Sequence, residues 1–71
     1  MAKPIRYSSH AIQRRFERDI TERQVEETIR SSDYTKTSFD GRKIAVKKFE
    51  GRYVSVVYTE KETHIKIITI Y

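Results

Sequence analysis

Ser9-His10-Ala11-Ile12-Gln13-Arg14-Arg15-Phe16-Glu17-Arg18 is the stretch on which the reading of the chain turns. It has the spacing of a short amphipathic helix. Ile12 and Phe16 fall one turn apart and make its apolar side. His10, Arg14 and Arg18 also step by four and make a second stripe, well away from the first. Ser8 or Ser9 supplies an oxygen to cap the first turn. Arginines at the other end suit the negative pole of the helix dipole. On the N-terminal side, residues 3–7 read as a short lead-in or strand fragment, in which Pro4 argues against a central strand.

On the C-terminal side, Asp19-Ile20 links to a second helix. Thr21 with Gln24 has the spacing of a capping box, and Ile20 is placed to act as its staple. Val25 and Ile29 share one side of that helix. The other side carries Glu22, Arg23, Glu26, Glu27 and Arg30, with Glu26 and Arg30 spaced for an ion pair. From Tyr34 onward the pattern alternates as strands do. Strands are expected over residues 34–39, 42–49, 53–58 and 64–71. Asp40-Gly41 carries the hairpin signal for two residues in left-handed conformations, and Glu50-Gly51 is a second two-residue turn. Glu60-Lys61-Glu62 is the third link. The expected fold class is α+β: two N-terminal helices packed on a four-stranded antiparallel meander sheet, ααββββ, as one domain over residues 1–71.

Those turns set an expected register. It groups Ile44, Val46, Val57, Ile65 and Ile67 on one face, with Lys48, Tyr53 and Thr69 toward one end. This is the expected partner of Ile12, Phe16, Val25 and Ile29. The opposite, open face would then hold Lys43, Lys47, Tyr58, His64 and Lys66, among Val54, Val56, Ile68 and Ile70. A one-residue slip in the last hairpin would exchange the faces of the final strand.

Composition bounds the function. The 71 residues carry a net charge of +5, which favours an anionic partner, nucleic acid first and an acidic protein second. There is no cysteine and there are two histidines, a poor endowment for a disulfide framework or a structural zinc site. No apolar run is long enough to span a membrane and the first residues lack a signal-peptide core, so a cytoplasmic protein is expected.

Ser9-His10-Ala11 with Arg14, Arg18, Ile20, Val25 and Ile29 resembles the signature of a bacterial, archaeal and phage domain family of unknown function. Its helical half reads His-Ala-x-x-Arg, then Arg-Gly-Ile, then a Val-x-x-x-Ile helix. Val56-Val57-Tyr58 and Ile67-Ile68-Thr69-Ile70-Tyr71 are similar to that family's closing strands, so the likeness runs over nearly the whole chain. Asp19 stands where the family usually has Gly, which asks Asp to take the left-handed conformation. In layout the family resembles the RelE and BrnT toxins, metal-independent endoribonucleases of toxin–antitoxin pairs. The resemblance implies an RNA-cleaving role, and no cofactor is implied. An acidic antitoxin-like partner is instead suggested by the unprotected sheet edges and the charge of +5, without catalysis.

Cleaving RNA without a metal needs a base, an acid and cations for the growing phosphate charge. His10 is the candidate acid or base. Arg14 and Arg18 are candidate phosphate ligands. Arg14 is also carried into the catalytic set, with Tyr53 and Tyr71 as auxiliary groups. A histidine that only orders the start of a helix, and an arginine that only covers a sheet edge, read equally well from these residues. A second surface, Lys43, Lys47, Lys66, His64 and Tyr58, mixes cations and aromatic rings as a single-strand binder does. A third reading is a non-catalytic module that pairs with itself or with an acidic protein through its sheet edges.

Overall fold

The computed structural model describes residues 3–38 and 40–71. They form β1 (Ile5–Tyr7), α1 (Ser9–Glu17), α2 (Glu22–Arg30), β2 (Tyr34–Thr37), β3 (Lys43–Phe49), β4 (Arg52–Glu60) and β5 (Ile65–Ile70). The architecture is α+β, a five-stranded sheet in the order β1-β5-β4-β3-β2 with the two helices against one face. β2 to β5 make the expected antiparallel meander. The lead-in is a fifth strand: β1 runs parallel to β5, with Ile5 opposite Ile65 and Tyr7 opposite Ile67. The four-stranded antiparallel ααββββ expectation is therefore corrected to a mixed βααββββ sheet. Pro4 is tolerated because β1 is an edge strand; its carbonyl accepts the Ile65 N–H at 2.9 Å. The expected extension of β2 to Phe39 lies outside the described residues.

Both helices are short, and their ends are fixed by side chains. Ser8 caps α1, its Oγ accepting the Ala11 N–H at 3.1 Å and donating to the Ile68 carbonyl at 3.0 Å. The far end of α1 closes as a Schellman motif: Asp19 N–H reaches the Phe16 carbonyl and Ile20 N–H the Arg15 carbonyl. Asp19 sits at φ 54°, the left-handed conformation that motif requires. The Arg52 guanidinium donates to the Arg18 and Asp19 carbonyls at 2.8 and 2.9 Å and so covers the same helix end. Thr21 and Gln24 form the expected reciprocal capping box of α2. The ion pair on α2 is Arg23–Glu27 at 3.4 Å rather than Glu26 with Arg30.

The faces of the sheet differ from expectation. The core contains Ala11, Ile20 and Val25 from the helical half and Ala45, Val54, Val56, Tyr58, Ile67 and Ile70 from the sheet. Glu50-Gly51 is the expected two-residue turn, with φ of 39° and 89°, and it sets Phe49 opposite Arg52. Ile44, Val46, Lys48, Tyr53 and Val57 therefore do share a face, but that face looks away from the helices. Lys43, Lys47 and Tyr58 lie on the helix side instead. At Asp40-Gly41 only Gly41 has positive φ, and Ser38 accepts the Gly41 N–H, so this link is one residue longer than a two-residue turn. In the last hairpin Val57 faces Thr69 while Tyr58 faces Ile67, which leaves Ile68 as a bulge. The extra residue lets Ile67 and Ile70, three apart, both point at the helices, and both are fully buried. On α1 the buried residue is Ala11, whereas Ile12 and Phe16 are exposed. The inward stripe of α1 is Ala11 with Arg15, whose guanidinium lies 4.6 Å from the Phe16 ring centre.

Candidate functional site: a cationic groove

Ser8, His10, Arg42, Thr59, Lys61, Lys66 and Ile68 line a groove of about 500 Å³. The fold builds it from four places. The β2–β3 and β4–β5 links are alternate turns of one meander and so fall at the same end of the sheet, bringing Arg42 beside Lys61. Thr59 and Lys66 are directly paired and face away from the helices. The Ser8 hydroxyl ties the start of α1 to β5, and that contact sets His10 at the rim.

Among the described residues the groove lining carries three permanent cations and one imidazole, and no carboxylate. Arg42 is steadied by Asp40, whose Oδ2 lies 3.5 Å from its Nε. The Asp40 carboxyl is held below the usual carboxylate range by the Ser38 hydroxyl first and then by the Arg42 backbone N–H. Glu60, next in sequence to Lys61, projects to the other side of the sheet. There it pairs with Lys3 at 3.2 Å and Lys43 at 3.4 Å, and these two lysines, Lys3 first, lower its pKa. Asp40 takes up part of Arg42, and the arginine and lysine side chains gathered here keep further N–H donors suited to phosphate oxygens.

Of the residues picked from sequence, His10 and Lys66 meet in this groove. The others do not join them. Arg14 is half-exposed on α1 and lies 3.8 Å from Glu17. Arg18 is the exposed C-cap of α1. Lys43 is engaged by Glu60, and Lys47 donates to the Ser31 carbonyl at the end of α2 at 3.0 Å. Tyr58 is in the core. The expected open-face set Lys43, Lys47 and Tyr58 is thus corrected: these residues close the helix side. His64 stands in the β4–β5 link, its Nδ1 3.1 Å from the Thr63 hydroxyl.

Tyr53 and Tyr71 are exposed on the face that carries Thr59 and Lys66, toward its opposite end. Tyr71 exchanges two backbone hydrogen bonds with Ser55. At about 3.3 Å per residue, Ser55 is roughly 13 Å along β4 from Thr59 and Tyr53 roughly 20 Å. Neither tyrosine reaches His10, so His10, Arg14, Tyr53 and Tyr71 do not form one catalytic cluster. Among the described residues no three His, Cys, Asp or Glu side chains converge as metal ligands. Sequence reading missed Arg42 and Lys61, although the meander order places their turns together.

No helix among the described residues is long and apolar enough to cross a membrane. No curated protein and no solved structure matches the chain. The family described as a domain of unknown function, DUF4258, matches residues 7–71. The match takes in both helices, the whole meander and every residue of the groove, and the chain belongs to the DUF4258 family.

Proposed function

We propose that this domain binds RNA through the cationic groove. The observation that carries the reading is the meeting of Arg42, Lys61, Lys66 and His10 in one concavity whose lining has no carboxylate. Such a site grips the phosphates of a strand and leaves sequence unread. Arg14, Arg18, Lys43 and Lys47, held elsewhere, contribute little.

A second reading adds cleavage. The layout resembles metal-independent ribonuclease toxins, and His10 brings an acid–base group into a phosphate-binding groove. One experiment separates the two. Purified wild-type protein and the His10→Ala and Lys66→Ala variants are incubated with single-stranded RNA in EDTA, with binding, cleavage and circular dichroism followed together. Binding is expected to weaken several-fold in folded Lys66→Ala and less in His10→Ala, whose imidazole is not a permanent cation. Cleavage by wild type that is lost in folded His10→Ala supports the second reading. Binding unchanged in Lys66→Ala contradicts the groove.

A further inference from the structure

The sheet face that leads away from the groove has a composition of its own. Tyr34 on β2, Tyr53 on β4 and Tyr71 after β5 are 50%, 61% and 48% exposed. The register sets all three on this face: Tyr34 is opposite Val46, Tyr53 is opposite Lys48, and Tyr71 pairs with Ser55, two residues from Tyr53. They form a band across β2, β3, β4 and β5, about 15 Å wide at the usual strand spacing. Val46 lies in the same cross-strand row as Tyr34 and Tyr71, Ile44 and Val57 lie between that row and the groove, and the three make an apolar floor.

The charges on this face are all of one sign. Arg6, Lys36, Lys48 and Lys66 occupy its strand positions. Among the described residues no strand position on it holds a carboxylate, although the chain has ten acidic residues. They fall instead on the helices, in the links between elements or, for Glu60, on the helix side of β4. Asp33, at the start of β2, is occupied by the Lys48 backbone N–H at 2.9 Å. Two tyrosines carry a lysine: Lys36 Nζ is 5.9 Å from the Tyr34 ring centre and Lys48 Nζ 5.8 Å from that of Tyr53. An exposed ring with an ammonium beside it offers a flat apolar surface for a base and a cation for the phosphate attached to that base.

From these placements we infer that the open sheet face is a base-stacking platform for single-stranded RNA. Tyr34, Tyr53 and Tyr71 take bases, Lys36 and Lys48 take the intervening phosphates, and the groove at the Thr59–Lys66 end takes the strand as it leaves the sheet. A duplex is a poor occupant, because its bases are stacked on each other and its phosphates face outward. The inference rests on the groove reading and extends it from phosphate contact to base contact.

The test compares two fluorescein-labelled probes, a twelve-nucleotide oligouridylate and an abasic phosphodiester strand of equal length, by anisotropy with the full chain. Wild type is expected to bind the oligouridylate more tightly than the abasic strand. Tyr53→Ala and Tyr71→Ala should each weaken oligouridylate binding about tenfold and leave abasic binding unchanged, and Tyr53→Phe should keep wild-type affinity. All three changes are at exposed positions, and circular dichroism checks that the fold survives. Equal affinity of wild type for both probes, or Tyr→Ala variants that lose nothing, overturns the platform while leaving the groove standing. Failure of both probes to bind removes the groove reading and this one together.

Discussion

Single residues set the shape of this domain at points where ordinary preferences are overridden. Asp19 and Glu50 hold positive φ without being glycine, each at the site of a reversal. Asp is suited to this by its short polar side chain; Glu is not, and the following Gly51 carries the rest of that turn. Tyr7 is another such residue. Packed between the core and Arg15, it has its pKa raised, by burial first and then by the Glu22 charge, with Arg15 opposing. A folded-state pKa above the unfolded value leaves stability intact below about pH 10 and removes it as pH rises through the folded value. Wild type is therefore expected to lose more stability than Tyr7→Phe between pH 9.5 and 11, read from urea midpoints. Parallel loss in the two proteins would show that the Tyr7 phenol does not feel its burial.

At the scale of elements, local signals were legible and facing was not. The capping box at Thr21, the Ser8 cap, the Glu50-Gly51 turn and the strand order of the meander all follow from short-range chemistry. The side of the sheet that meets the helices depends on features with no short-range signature. One is the bulge at Ile68, which turns Ile67 and Ile70 to the same side. Another is the set of partners that let lysines sit on the helix side, Ser31 for Lys47 and Glu60 for Lys43. On α1 the apolar pair Ile12 and Phe16 misleads, because the close approach to β5 is made by Ala11, which has the smallest side chain on that surface. Residues 3–7 read as a lead-in or strand fragment, but three residues carry almost no periodicity, so the parallel pairing of β1 with β5 was not legible. Arg52 joins the β3–β4 hairpin to the end of α1 through two charge-assisted hydrogen bonds. Arg52→Ala is expected to cost about 1 kcal/mol, seen as a lower urea midpoint with unchanged slope. An unchanged midpoint would mean that solvent satisfies those carbonyls equally well.

The whole molecule is divided by charge. Acidic side chains gather on the helices and links, while the strand positions of the open face are cationic, aromatic or neutral. The net charge of +5 is thus concentrated where a strand would lie, and this division underlies the functional reading more than any one residue does. The candidate site was only partly legible for the same reason. His10 and Lys66 stood out, but the groove is completed by Arg42 and Lys61 from separate turns, and the tyrosines become a band only once register is known. The most direct measurement is the affinity for single-stranded RNA as a function of salt. Contact of three to five phosphates by the groove and the adjoining lysines predicts that log K falls with log salt at a slope of about −2 to −4. Affinity that is flat with salt, or no binding at low salt, would contradict the account.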